Sequence, residues 1–186
     1  MDSNKKYILL YVSVITGIVS LVAWIILSST SPILVGTTLN EQFLSTLRTH
    51  FILSRLGSGF LYLFIFSAGA AFAFFLRIAI DRPQLVIAGI AIFVIGIAVS
   101  CVLSSHVVAP MFNDPEVATV TVVKKDLDYR GSKVKRWHYF LYFSNGSELA
   151  VAEDKYKRTN VGDVHYVVMC GSDPIASYSA SEYKLP

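Results

Sequence analysis

Four histidines have the widest chemical repertoire in this sequence, because a histidine can bind a metal or transfer a proton near neutral pH. His50 and His106 each follow or precede an apolar segment, so both are expected at the same rim of a membrane. Two histidines do not make a zinc site, which needs three or four ligands. No Ser, His and Asp set in the sequence indicates a nucleophile with its base. We therefore predict no catalytic residue, no cofactor and no metal.

The composition is that of a membrane protein. Of the 186 residues, 54% are hydrophobic and 16% are charged, which is too apolar for an ordinary soluble domain of this length. Ten basic and ten acidic residues after residue 112 cancel, so the net charge of +3 belongs to the preceding part. Basic residues that flank membrane spans explain this charge, and we expect no nucleic-acid partner.

Three apolar segments are long enough to cross a lipid bilayer as helices, which takes about 20 residues. They are residues 7–27, 56–76 and 85–103, and none contains Asp, Glu, Lys, Arg or His. Ionisable residues within spans usually mark ion pathways, so a transporter or pump is disfavoured. The first segment is longer than the apolar core of a signal peptide, and we interpret it as a retained anchor.

The loop between the first two spans contains a helical pattern. Phe43, Leu47 and Phe51 recur every four residues and form one apolar stripe, and Asn40 is a plausible N-cap. Residues 40–54 are therefore interpreted as an amphipathic helix, lying in the membrane interface or folded over the bundle. The alternative is that they extend the second span.

Small residues in the second and third spans indicate where helices approach closely, because they allow backbones to pack in lipid. Gly69 and Ala73 are four residues apart in the second span, and Gly96 and Ser100 are four apart in the third. We predict that these four residues mediate helix packing.

Lys and Arg near the ends of spans indicate orientation, since cytoplasmic loops are enriched in both. The short turn with Arg77 and Arg82 lies on the same side as Lys5 and Lys6. We expect a multi-pass protein of the cell (inner) membrane with a cytoplasmic amino terminus and an extracytoplasmic carboxy-terminal domain.

The pattern changes from α-helical to β at about residue 113. Residues 1–112 form the predicted membrane domain, and residues 113–186 form a predicted extramembrane domain. The latter has five β-rich segments separated by Gly- and Asp-containing turns, at 117–123, 134–143, 148–153, 164–169 and within 175–183. They predict a small antiparallel sheet or a partly open β-barrel of the SH3-like or OB-like kind.

A hairpin is predicted around Asn145-Gly146, because these residues suit a two-residue type I′ turn. That turn pairs Tyr142 with Leu149, which assigns Phe140, Tyr142, Leu149 and Val151 to the core. The opposite side of the sheet then carries an aromatic row, which is Trp137, Tyr139, Leu141 and Phe143.

The aromatic row needs a cover, because an apolar patch of this size is rarely exposed on a monomer. The tail at residues 174–183 could close a barrel over it. The membrane surface or the helix at 40–54 could lie on it, since Trp and Tyr favour the interface. Another protein chain, including a second copy, could also bind it, which would make the row an interaction face.

The carboxy-terminal part resembles a small β domain that is common in uncharacterised bacterial multi-pass membrane proteins. The resemblance rests on WHYFLYF, NGSELAVAE, the turn at Gly162-Asp163, HYVVM and Asp173-Pro174, and covers about residues 117–186. It implies a β domain next to transmembrane helices and no catalytic residues.

Three hypotheses about function follow. The first is a non-enzymatic membrane protein whose β domain is an interaction or assembly module at the membrane surface. The second is an accessory subunit that contacts a transporter or envelope enzyme through its helices. The third is an enzyme that acts on lipid at the rim of His50 and His106. The expected partners are the lipid bilayer and either another protein or a second copy of the chain.

Overall fold

The computed structural model describes residues 3–30, 32–80, 82–130 and 136–186, and the chain divides into two compact units. The helical unit consists of Met1–Pro32 and Thr49–Val108. The β unit consists of Ile33–Arg48 and Ala109–Pro186. The sequence division at residue 112 leaves residues 33–48 in the membrane domain, whereas their contacts place them in the β unit.

Three long helices dominate the first half of the chain. They are α1 (Ser3–Ser29), α2 (Glu41–Ile80) and α3 (Gln84–Ser105). All three are long and apolar enough to cross a membrane, which confirms the prediction of three such helices. The helix α2 has 40 residues, about twice the length that a span requires. Residues 41–54 are therefore continuous with the helix of the second predicted span.

Within the helical unit, small residues bring the helices close together. A Cβ atom at Gly96 of α3 would overlap Phe66 of α2. The Ser100 hydroxyl donates a hydrogen bond of 2.9 Å to the carbonyl oxygen of Gly59. A Cβ atom at Gly17 of α1 would lie 3.5 Å from Cβ of Ser67. The overlap at Gly96 requires a residue without a side chain, as is usual where helices pack in lipid, whereas the distance at Gly17 allows an ordinary contact.

The remaining elements follow α3 in the order α4 (Val108–Phe112), β1 (Pro115–Arg130), β2 (Arg136–Phe143), β3 (Glu148–Val151), α5 (Glu153–Arg158), β4 (Val164–Cys170) and β5 (Asp173–Ser179). The strands form one antiparallel sheet in the order β3-β2-β1-β4-β5. The two outermost strands, β3 and β5, approach each other, so the sheet is nearly closed into a barrel. This confirms the predicted fold class of three apolar helices with a carboxy-terminal β domain.

The long strand β1 joins the two halves of the barrel. Its first part, from Pro115 to Thr121, pairs with β4, and its second part, from Val122 to Arg130, pairs with β2. The register shifts between Val122 and Lys124, and such a bulge bends and twists a strand. The bend allows one strand to serve both halves of the sheet.

The short helix α5 is absent from the sequence prediction. Glu153 and Asp154 occupy its first turn, where they interact favourably with the helix dipole. Each pairs with a basic residue four positions later, since Glu153 contacts Lys157 at 2.5 Å and Asp154 contacts Arg158 at 3.0 Å. Pairs with this spacing stabilise helices, so the segment EDKYKR does carry a helical signal.

The hairpin between β2 and β3 has a different register from the predicted one. Gly146 has a positive φ of 82°, and its N–H donates a 2.9 Å hydrogen bond to the carbonyl oxygen of Phe143. The Phe143 N–H bonds in turn to the carbonyl oxygen of Ser147. These bonds define a three-residue loop with a glycine bulge in place of a two-residue type I′ turn. Leu141 therefore pairs with Leu149, and the predicted core assignment of Phe140 and Tyr142 is wrong.

The barrel interior is filled by side chains from β1, β2 and β4. The buried members are Val120, Val122, Leu141, Phe143 and Val167. Leu149 and Val151 of β3 pack against them, as the sequence predicts for these two residues. Alternation along the strands places them on one side of the sheet.

A second apolar cluster covers the outer side of β4. Leu39, Phe43 and Leu47 pack against Val168, which is fully buried. The ring of Phe43 lies edge-on to that of Tyr178, with 5.5 Å between ring centres. The first two turns of α2 thus form part of the β unit, and β4 is covered on both sides by apolar residues.

The segment before α2 is hydrogen-bonded to Lys184 near its junction with the helix. The Leu39 N–H donates to the carbonyl oxygen of Lys184, and the Lys184 N–H donates to the carbonyl oxygen of Thr37, each at 2.9 Å. Asn40 accepts a hydrogen bond of 2.8 Å from the Phe43 N–H through its Oδ1 atom, so it is the N-cap of α2 as predicted. These bonds hold the apolar stripe against the sheet.

Candidate functional site

The predicted aromatic row does not form an exposed surface. Leu141 is 0% exposed and Phe143 is 2% exposed, and both belong to the barrel interior. The ring of Tyr139 is half-buried, with its centre 5.1 Å from that of the Tyr156 ring on α5. The side chain of Trp137 lies outside the described residues. The hypothesis of an interaction face on this row is wrong for Leu141 and Phe143, because the three-residue loop turns them inward and the closed barrel covers them.

The side of β2 that faces outward carries Phe140 and Tyr142, which are half-buried. The strand pairing places Asp126 of β1 beside Phe140 and Glu148 of β3 beside Tyr142. Together with Asp128, these residues line a concavity of about 310 Å³. We call Phe140, Tyr142, Asp126, Asp128 and Glu148 the aromatic–acidic face.

Lys124 contributes a positive charge to this region. Its Nζ atom lies 2.7 Å from Oδ2 of Asp126 and 5.1 Å from the centre of the Tyr142 ring. The hydrogen bond from Lys124 lowers the pKa of Asp126. Burial, followed by the charge of Glu148, raises the pKa of Tyr142, so its hydroxyl stays protonated. Lys124 is paired with Asp126, and Glu148 contributes a further negative charge beside Tyr142.

The chemistry of the aromatic–acidic face suits a cationic ligand. An aromatic ring beside carboxylates attracts Arg or Lys, because the ring and the carboxylates both interact favourably with a positive charge. The same carboxylates repel phosphate groups, which disfavours nucleic acid and anionic lipid headgroups. A basic side chain such as that of Arg or Lys fits this chemistry best.

The four histidines lie on different elements and differ in burial. His50 is a half-buried residue of α2, and His106 is an exposed residue at the end of α3. His138 is exposed on β2, and His165 is buried on β4. Within the described ranges, no three His, Cys, Asp or Glu side chains are grouped as metal ligands.

The residues predicted to mediate helix packing lie within the helical unit. A Cβ atom at Gly69 would be 3.5 Å from Ile92 of α3, which is an ordinary contact. Ala73 is 7% exposed. Gly96 and Ser100 make the close contacts with α2 that are described above. The helices of one chain thus use Gly96 and Ser100 against each other.

Sequence reasoning missed Phe140 and Tyr142 as surface residues because it assumed a two-residue turn. The sequence SNGS also fits a three-residue loop, in which Gly takes the left-handed position. With that loop, the alternation along β2 places Leu141 inside and Phe140 outside. The sequence therefore allows the three-residue loop that places Phe140 and Tyr142 on the surface, although this loop is less common than the two-residue turn.

No protein-family model matches this chain, and neither a curated protein nor a solved structure matches it.

Proposed function

We propose that this chain is a non-enzymatic integral membrane protein whose β unit binds a basic segment of a partner protein through the aromatic–acidic face. One observation carries the proposal. The outer side of β4 is covered by the chain's own Phe43 and Leu47, whereas Phe140 and Tyr142 remain partly exposed beside carboxylates. Three helices long and apolar enough to cross a membrane support the membrane assignment.

The residue types of the aromatic–acidic face support a protein partner. Tyr and Phe are enriched in protein interfaces, and Tyr is frequent among the residues that contribute most to binding. Arg is enriched in interfaces as well and would supply the complementary charge. Net negative charge near Tyr142 would also speed the encounter with a basic partner.

We further propose that the amino terminus lies in the cytoplasm and the β unit outside the cell membrane. Arg48 bears on this orientation through its contacts. Its guanidinium donates to Asp114 at 2.9 Å and to the carbonyl oxygen of Met111 at 2.8 Å. Arg48 precedes the second span and Arg77 follows it, so Arg48 would by itself favour the reverse orientation. Its contacts within the β unit weaken this opposing signal.

The alternative is an accessory subunit that contacts a larger membrane protein through its helices. The small residues that would favour such a contact are largely used within the chain, since Gly96 packs on Phe66 and Gly59 faces Ser100. A partner would instead meet exposed aliphatic residues, for example Ile87 and Val94 of α3. These residues equally suit lipid, so we prefer the β unit as the binding site.

Site-specific photo-crosslinking in intact cells tests the proposal. A crosslinking amino acid at Ala150, which is exposed and pairs with Phe140, should capture a protein at a segment rich in Arg or Lys. The matched control is the same amino acid at Val161, which is 61% exposed and outside the aromatic–acidic face. The crosslinked product that forms from position 150 should not form from position 161.

Charge reversal adds a second control. Glu148→Lys should abolish the crosslink from position 150, whereas Glu116→Lys, an equal charge change at an exposed position elsewhere on the β unit, should preserve it. A crosslink to a second copy of this chain would show self-assembly instead. Products formed only with lipid, or with a protein segment free of basic residues, would contradict the proposal.

A further inference from the structure

A second concavity, of about 480 Å³, lies in the β unit between α5, β4, β5 and the residues that follow β5. Its wall includes Lys155 and Arg158 of α5, His165 of β4, Ser177 of β5 and Glu182. No residue lines both this concavity and the aromatic–acidic face. We call it the β4–β5 cavity, and its chemistry is independent of the proposed protein-binding face.

Two polar side chains in the wall of the β4–β5 cavity are almost fully buried. His165 is 1% exposed and Ser177 is 2% exposed. Neither ring nitrogen of His165, nor Oγ of Ser177, has a hydrogen-bond partner among the described residues. Buried polar groups are nearly always hydrogen-bonded, so these three atoms point to a ligand or to ordered water in the cavity.

The strand pairing explains why these side chains lie together. Val167 pairs with Ser177, and His165 pairs with Ser179. Opposed residues share a side of the sheet, and so do residues two positions apart. His165 and Ser177 are therefore diagonal neighbours on the inner side of β4 and β5.

Lys155 adds a positive charge to the same place. Its Nζ atom donates a hydrogen bond to the carbonyl oxygen of Ser177, the residue whose hydroxyl has no described partner. Burial lowers the pKa of Lys155 to about 8, so the ammonium is still largely protonated at neutral pH. An ammonium has three donors, and the carbonyl oxygen of Ser177 uses one.

We propose that the β4–β5 cavity binds the carboxylate of a small organic acid, with Lys155 supplying the charge and His165 and Ser177 supplying hydrogen bonds. Burial lowers the pKa of His165, so its ring is neutral and has one N–H donor at neutral pH. A carboxylate accepts several hydrogen bonds through its two oxygens. The three side chains together offer it one positive charge and at least three donors.

The charge balance of the wall favours a carboxylate over a phosphate. Asp163 and Glu182 also line the β4–β5 cavity, and Asp163 already accepts a 2.7 Å hydrogen bond from the Asn160 N–H. Arg158, the other cation of the wall, is paired with Asp154 at 3.0 Å, so a single ligand charge is matched by Lys155. A second negative charge would face two carboxylates, which disfavours the phosphate dianion.

Ligand titrations of the full-length protein in detergent micelles test this proposal. The probes are acetate, lactate and benzoate, with acetamide as the uncharged control and inorganic phosphate as the competing oxyanion, all at equal ionic strength. Thermal unfolding reports binding, and nuclear magnetic resonance of ¹⁵N-histidine-labelled protein reports the ring of His165, whose signal is assigned with the His165→Gln variant.

We expect at least one carboxylate to raise Tm and to shift the His165 signal, whereas acetamide should do neither. Lys155→Met should weaken that binding about tenfold or more, since it removes a charged hydrogen bond. Ser177→Ala, a smaller change that preserves the fold, should weaken it less. Lys157→Met is the matched control, because Lys157 is exposed on the same helix and should leave binding unchanged.

Three results would overturn the assignment. The first is that no carboxylate changes Tm or the His165 signal, which would indicate that ordered water satisfies these atoms. The second is phosphate binding as tight as that of the best carboxylate. The third is an equal loss of binding in Lys157→Met and Lys155→Met, which would show that the charge of α5 as a whole, and not the β4–β5 cavity, attracts the probe.

Discussion

The outer side of the barrel differs between its two halves. On β4, Val168 is fully buried beneath Phe43 and Leu47 of the same chain. On β2, Phe140 and Tyr142 are half-exposed beside carboxylates of the neighbouring strands. Covering the second half would bury charged side chains such as Asp126 and Glu148, which costs free energy, whereas covering the first buries mainly apolar area. The residue types of each half thus decide which one the chain covers itself and which one it leaves partly exposed.

The largest effect should come from removing the cover of β4. Phe43→Ala deletes a ring that is 6% exposed and packed against Tyr178, so the free energy of unfolding of the β unit should fall by about 3–5 kcal/mol. Tyr142→Ala on the open half should lower it by less than about 1 kcal/mol. Denaturant unfolding followed by near-UV circular dichroism measures both. Equal losses of unfolding free energy in the two variants would show that the covered and the open half contribute equally to stability.

The second prediction tests the two sides of a single strand. Leu141→Ala should destabilise the β unit by about 2–5 kcal/mol because Leu141 is 0% exposed. Phe140→Ala, one residue away and half-exposed, should cost much less although it removes a larger side chain. The same unfolding measurement applies. A larger loss of stability in Phe140→Ala than in Leu141→Ala would support the two-residue turn, which places Phe140 in the core.

A smaller effect is expected at the N-cap of α2. Asn40→Ala removes the acceptor of the 2.8 Å bond from the Phe43 N–H and should cost about 1 kcal/mol. Asn40→Asp retains a capping oxygen and is the matched control. Hydrogen exchange at the amides of residues 41–44 should accelerate in the alanine variant only. Unchanged exchange in both variants would indicate that packing on β4 alone holds the first turn.

The pH dependence of stability gives the smallest predicted effect. Burial, and next the charge of Lys155, lowers the pKa of His165 below its usual value, while Asp163 and Glu182 act in the opposite direction. The unfolded chain then binds a proton near pH 6.5 before the folded chain does, so stability is lost as pH falls below about 6.5. His165→Gln should flatten this part of the profile, measured by unfolding from about pH 7.5 to pH 5. If the pH dependence of stability is unchanged in His165→Gln, other titrating groups cause it.

The sequence predicts the elements well because their patterns are local. Three charge-free segments of about 20 residues correspond to α1, the later part of α2, and α3. The β-rich segments correspond to β1–β5, since β-branched and aromatic residues alternate with Gly and Asp turns. The helix α5 was missed, although its paired charges at Glu153 and Lys157 are a local signal too.

The register of the β2–β3 hairpin and the packing of α2 on β4 are harder to predict, because a local residue pattern is compatible with more than one arrangement of each. Asn145-Gly146 fits two loop lengths, and one residue of difference exchanges Phe140 for Leu141 in the core. The stripe of Phe43 and Leu47 was recognised, but an apolar stripe does not say what it contacts. The β4–β5 cavity joins Lys155 to Ser177 across two turns, so only the folded sheet brings its residues together.

The hydrogen bonds that join Thr37 and Leu39 to Lys184 have a consequence for the timing of synthesis. The two residues are separated by nearly the whole chain, and ribosomes add about 5–20 residues per second, so the second appears roughly 7–30 s after the first. For most of this interval Leu39, Phe43 and Leu47 have been made, whereas β4 (Val164–Cys170) and β5 (Asp173–Ser179) are completed only near its end. Nascent chains therefore expose an apolar helix to the bilayer surface or to chaperones before the β unit can close over it.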